Sequence, residues 1–286
     1  LEGPLGLVLK KIDAVELLCT IDPFQEPIFA SDVVPALPVN SGLDLYYRLL
    51  NCGLQIPVTA GTDKMNNQVS VGANRVYALV DHSFDYDHWV SALNEGKTFI
   101  SNNPFLLLKV DGQDPGATIS ADKSHKITAE VWSQFPIDRL EIIANGALIA
   151  VKKILPGETH AQLEIEYQSQ ESCWIAARAY QFSHPYTRQG LSLTERRNEK
   201  NGNTLLNQYY GTLRPETTFA HTSPVYILKD NAPVRSNDDA LYFVRYLQNA
   251  QEWLDISGSF PDENSKEFVL KAFQDGINTF RSFVTE

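Results

Sequence analysis

Much of the usual chemistry of a metalloenzyme or nucleophilic hydrolase is missing from this chain of 286 residues. Only three cysteines occur, Cys19, Cys52 and Cys173, far apart and without C-x-x-C spacing. That excludes a zinc ribbon and a disulfide framework, and leaves them as small buried apolar residues. The six histidines (His82, His88, His125, His160, His184 and His221) form no H-x-H or H-E-x-x-H spacing. No G-x-S-x-G elbow and no phosphate-cradling glycine loop is present. No apolar run approaches the ~20 residues that cross a bilayer, so no membrane span is expected. The opening residues, Leu1 to Gly6, lack the basic and long apolar regions of a signal peptide. The chain reads as opening inside a domain whose earlier elements are absent or reduced. Positive charge is also short: 24 basic against 35 acidic residues leave a net charge of −11. A surface of that sign repels nucleic acid and anionic membranes, and a nucleic-acid function is excluded on that ground.

What is present is a core. A hydrophobic fraction of 43% with 10% aromatics suits a globular protein large enough for more than one domain. Over residues 1–104 strand-like and helix-like patterns alternate, which predicts βα units around a parallel sheet. Strands are expected at 12–19, 56–60, 75–80 and 98–101, with helices at 43–52, closed by Gly53, and 86–95, capped by Asp85 and stopped by Gly96. From Phe105 the rhythm becomes short strands divided by turn residues, including Asp111-Gly112 and Asn145-Gly146, whose central positions suit positive φ. Strands at 105–110, 126–134, 140–144, 147–152, 161–167 and 172–180 point to an immunoglobulin-like β-sandwich over 105–182. Residues 181–236 read as polar and irregular, with the run Thr194 to Lys200 as a solvated loop. Two amphipathic helices, 238–256 and 265–283, complete a 183–286 return segment that docks on the barrel-like part or the sandwich. The fold class is therefore α/β plus all-β.

Two acids stand out. Asp63 follows the apolar strand 56–60 in Gly61-Thr62-Asp63, at the carboxyl edge where α/β proteins place their chemistry. It serves either as a metal ligand or as an Asx-turn or cap. Glu16 sits within an apolar strand, where an acid is costly unless it meets a metal or an ion-pair mate such as Lys10, Lys11 or Arg75. His184 and His221 lie beyond the sandwich, and either could return to the barrel mouth or play a structural part. Trp132, Trp174, Tyr180, Phe182 and Tyr186 could supply a sugar-stacking platform or fill a core.

The strings Tyr46-Tyr47-Arg48-Leu49-Leu50-Asn51-Cys52-Gly53, Ile56 to Asp63, Asn74-Arg75-Val76-Tyr77, Leu93-Asn94-Glu95-Gly96-Lys97-Thr98-Phe99, Val110-Asp111-Gly112 with Pro115-Gly116, Trp174 to Ala179 and Ala220 to Tyr226 run in order along the chain. Together they resemble the carbaryl-hydrolase-like branch of the polymerase-and-histidinol-phosphatase (PHP) superfamily. The resemblance implies a partial, distorted (β/α)7 TIM-like barrel over 1–104 with a sandwich appended. It implies a divalent metal (zinc, manganese or iron) that activates water toward a small phosphoester, ester or carbamate substrate, in a bacterial, exported or periplasmic setting. Asp63 alone carries over residue by residue as a metal ligand, and Glu16 matches the family's strand acid; Lys64, Arg75 and His221 are the residues expected to contact substrate. The family's opening H-x-H has no counterpart, and its late D-x-H appears as Asp63-Lys64-Met65. Methionine is no ligand for a hard ion, so the expected site is incomplete and this chain itself holds metal weakly or not at all. Two functions follow: part of a metal-dependent hydrolase completed by an N-terminal segment, or a non-catalytic interaction or carbohydrate-binding module derived from one.

Overall fold

A computed structural model describes residues 3–19, 23, 41–63, 71–81, 83–181 and 218–285. It is mixed α and β, and three layers build it. The central layer is an eight-stranded sheet running β3 (Arg75–Ala78), β4 (Thr98–Ser101), β12 (Phe219–Thr222), β11 (Cys173–Tyr180), β13 (Val225–Leu228) and β6 (Thr118–Ser120), with β8 (Arg139–Ala144) also pairing β11 and carrying β9 (Ala147–Lys153). A second sheet of β10 (His160–Tyr167), β7 (His125–Trp132) and β5 (Phe105–Val110) covers one face. Alternation fixes that contact: His125, Ile127, Ala129 and Val131 of β7 point inward, meeting Leu140, Ile142, Ile175 and Ala177. The residues between them on β8 and β11 face the third layer. Being buried on both sides, β11 shows no polar alternation at all.

The third layer holds the helices α1 (Gly3–Val8), α2 (Gly42–Asn51), α4 (Asn237–Ser257) and α5 (Glu263–Arg281), and the parallel pair β1 (Val15–Leu18) and β2 (Val58–Ala60). Ser41, Ser236 and Asp262 cap three of these helices at their N-termini. α2 crosses between β1 and β2 and buries Tyr46, Leu49 and Leu50, ending at Gly53 with φ +80. Asp239 of α4 accepts from Arg48 Nη1 at 2.7 Å and Asn51 Nδ2 at 2.9 Å, locking helix to helix. The parallel pair is pinned to the central sheet by Thr98 and Ser223, which bond each other at 2.7 Å. Their hydroxyls also take up the Val58 carbonyl and N–H, each at 3.0 Å.

Three expectations need correction. The first hundred residues do not circle a parallel sheet, and no closed barrel occurs among the described residues: β1 and β2 are parallel, but β3 and β4 pair antiparallel and extend the large sheet. The sheet runs on across residue 104, because β12 returns to pair β4. Nor is 181–236 wholly irregular. β12 and β13 sit in the middle of the sheet, only four residues each and buried throughout, so they carry no period to detect. The run Thr194 to Lys200 lies outside the described residues.

Turn chemistry held. Asn145 and Gly146 take φ 48 and 85 in the two-residue link between β8 and β9, and Asp111 and Gly112 take φ 49 and 81. Gly116 differs from Gly112 in a useful way. Both have positive φ, but a Cβ at 116 would stand 1.9 Å from the Glu95 carbonyl oxygen, whereas a Cβ at 112 meets open space. Gly116→Ala is therefore expected to cost about 2 kcal/mol or more, and Gly112→Ala about 1 kcal/mol, measured by urea unfolding. Equal losses would refute the close approach of the two segments.

Candidate functional site

Glu16 lies within β1 and Asp63 three residues beyond β2, so both acids belong to the parallel pair. Glu16 is registered against Thr59, and its carboxylate reaches along the neighbouring strand to lie where a Cβ on Gly61 would stand 2.5 Å from Oε1. Asp63 follows two residues later, with a left-handed φ of 47. The backbone around it is tied down: Thr62 Oγ1 accepts from Gly72 N at 2.9 Å and donates to Asn74 O at 3.2 Å, and Asn74 Nδ2 donates to Cys19 O. Glu16 and Asp63 are exposed, and among the described residues neither carboxylate has a hydrogen-bond or ion-pair partner. Exposed carboxylates without a partner attract a cation. Among the described residues, however, no group of three or more His, Cys, Asp or Glu side chains is placed to hold a metal ion. The observed pair fits part of a coordination shell only.

The other residues singled out from sequence lie elsewhere. Lys64 falls outside the described residues, as do Met65, His82, His184, Phe182 and Tyr186. Arg75 opens β3, sharing a sheet face with Tyr77, whose ring stacks on Phe99 toward the sandwich, while the acids sit with β1 and β2 on the helical side. The Arg75 Nε is buried, with no hydrogen-bond partner among the described residues. His221 is sealed beneath α2. Trp174 is core, its Nε1 donating to Asn51 Oδ1 at 2.8 Å, whereas Trp132 is exposed at the start of the outer sheet's aromatic row with Phe105 and His160.

Around His221 runs a buried polar chain that the sequence reading missed. β8, β11 and β12 place Glu141, Arg178 and His221 side by side in one row facing the helices. Glu141, 1% exposed, accepts from Arg178 Nε at 2.7 Å and from the Tyr180 hydroxyl at 3.0 Å. Arg178 Nη1 reaches the Tyr47 oxygen at 3.4 Å. His221 Nδ1 lies 2.7 Å from the Thr222 carbonyl, which can only accept, so the ring proton is assigned to Nδ1. Nε2 must then accept from the Tyr47 hydroxyl at 2.8 Å. The Tyr47 hydroxyl and His221 Nδ1 protons are thus both directed. Burial, aided by the Arg178 charge, pushes the His221 imidazole down to about 3, and burial pushes the Tyr47 phenol up to about 12. Both stay neutral near pH 7. A sequence signal existed: Glu141 lies inside the apolar run of β8, and Arg178 is the single charge of the otherwise apolar β11.

A cavity of about 530 Å³ opens at the opposite, amino end of β2, lined in part by Gln55 and Pro57. Size favours this cavity as a binding site; chemistry favours the acid pair for metal. The two are separate features. No protein-family model, curated protein or solved structure matches this chain.

Proposed function

We propose that the chain is a portion of a PHP-type metal-dependent hydrolase acting on a small phosphoester, ester or carbamate, in which Glu16 and Asp63 are the retained part of the ion-binding edge. The observation that carries this reading is the placement of both carboxylates at the carboxyl end of a parallel strand–helix–strand unit, neither neutralised by a described partner. That unit is a reduced barrel segment in this reading, and the packing of β5, β7 and β10 on β8 and β11 supports an appended immunoglobulin-like sandwich. The residues present suit zinc, manganese or iron as oxygen donors but supply too few of them. A bound ion would lower the pKa of its water and polarise the scissile bond. Glu16 and Asp63 would hold and orient that ion, while His221, neutral and bonded at both nitrogens, takes no proton from substrate.

A pair of carboxylates binds divalent ions weakly, with a dissociation constant on the order of millimolar. Manganese titration of the chain, followed by the loss of the free-ion electron paramagnetic resonance signal, is expected to give such a value. Glu16→Gln with Asp63→Asn should abolish the binding, along with any manganese-dependent cleavage of an aryl phosphate or aryl ester. An isotherm unaltered by the double substitution would overturn the reading.

A further inference from the structure

The 530 Å³ cavity is large enough for a ligand of one or two sugar rings. Five segments converge on it: the loop before β2, the residues after β3, the turn from α3 (Tyr86–Asn94) into β4, the turn after β5, and the Ser223-Pro224 corner between β12 and β13. Their mutual positions are set. Gly116 N donates to the Pro224 carbonyl at 2.7 Å, Gly96 and Gly116 touch through bare backbone, and Ser223 is held from beneath by Val58 and Thr98. The walls are thus preformed, which removes much of the ordering cost of binding.

The lining decides the ligand class. Pro57, Pro115, Pro224, Leu79 and the largely buried Tyr226 provide apolar surface against which C–H groups can lie. Facing it are amides on Gln55, Asn94 and Gln113, none of which has a side-chain hydrogen-bond partner among the described residues. The charges are already engaged: Lys97 Nζ bridges Glu95 at 2.9 Å and Asp81 at 3.3 Å, and Asp114 holds Lys109 at 2.6 Å. Three carboxylates against one ammonium in the lining repel an anion, so this is not a phosphate site. Asp114 is paired with Lys109, and Asp81 and Glu95 share Lys97, so the one charge left over is exposed and screened by solvent and adds little attraction for a cationic ligand. Engaged carboxylates keep lone pairs, and hydroxyl groups can use them. From this combination of apolar surface, unsatisfied amides and lysine-paired acids, we propose that the cavity is a binding site for a neutral saccharide of one or two pyranose rings. It is independent of the Glu16–Asp63 edge.

Isothermal titration of the full chain with cellobiose, maltose, xylobiose and chitobiose tests this, with spermidine and inorganic phosphate as charged probes. At least one disaccharide is expected to bind with a dissociation constant of about 1 mM or tighter, a range set by a few hydrogen bonds and one apolar face. Asn94→Ala with Gln113→Ala, both exposed positions, should weaken it about tenfold or more while leaving the unfolding midpoint in place. Glu16→Gln with Asp63→Asn should leave saccharide binding unaltered, so failure of the hydrolase reading and failure of this one are told apart. The proposal falls if no disaccharide binds at about 10 mM, a concentration well above that constant. It falls equally if the amide variant binds as well as the parent, or if spermidine or phosphate binds at these amides and the sugars do not.

Discussion

Glu141→Leu is expected to lower the stability of the fold by about 3–5 kcal/mol, a large part of the ~5–15 kcal/mol that holds a typical domain. The side chain is 1% exposed and is the carboxylate that accepts from Arg178 Nε and the Tyr180 hydroxyl. Leucine fills similar volume, so the loss reports charge rather than a cavity. Without the carboxylate, the guanidinium loses the ion pair that Glu141 gives it beneath α2. Buried ion pairs contribute little against a well-packed apolar pair, but removing one member leaves the desolvation of the other uncompensated. The double substitution Glu141→Leu with Arg178→Met should therefore recover much of what the single change loses. Urea unfolding of parent, both single variants and the double variant at pH 7 measures this coupling. Strictly additive losses would mean that the two side chains do not depend on each other.

Legibility followed sequence range. Local chemistry could be read: Asp85 caps α3 by accepting from His88 N, Gly53 and Gly96 end helices with positive φ, and Asn145-Gly146 joins β8 to β9. Alternation in β7 and β10 marked one buried face of a sheet. What could not be read was which strands share a sheet. β3 and β4 look like barrel strands because a short apolar segment followed by a helix is the same string in a βα unit and in a hairpin leading into a sheet. The antiparallel pairing of β3 with β4 and the return of β12 against Ser101, Ile100 and Phe99 distinguish the two, and β12 lies more than a hundred residues away. The same reason hid the polar row. Glu141, Arg178 and His221 are neighbours through register, and no local spacing relates them. For the acid pair the sequence supplied residue type and strand end, while the reach of the Glu16 carboxylate to Gly61 needed the parallel register of β1 and β2.

The second large effect is an acid-side loss of stability that belongs to residue 221. In the folded protein burial, with the Arg178 charge beside it, holds the imidazole proton affinity down to about 3, while an ordinary histidine titrates at 6.5. Between those values the unfolded chain carries a proton on His221 that the native chain does not. Unfolding then takes up a proton, so stability is complete above pH 6.5 and falls as pH is lowered, by up to about 1.4 kcal/mol per unit from this group alone. Carboxylates contribute to any acid unfolding curve, so the informative quantity is the difference between parent and His221→Gln. The amide oxygen of glutamine can still accept from Tyr47 but cannot charge. At pH 7 the variant should be the weaker protein through imperfect packing. Its disadvantage should shrink steadily toward pH 4. Tyr47 gives the mirror case: its hydroxyl, pushed up to about 12 by burial, stays protonated while the unfolded phenol ionises near 10, so stability declines as pH rises past 10. Tyr47→Phe should remove that alkaline decline while lowering stability at pH 7, because it leaves His221 Nε2 without its donor. Parent and His221→Gln curves that run parallel from pH 7 to 4 would mean that the imidazole is free to charge in the native state. The directed row from Glu141 to Thr222 would then lose its central acceptor, because a protonated Nε2 can only donate.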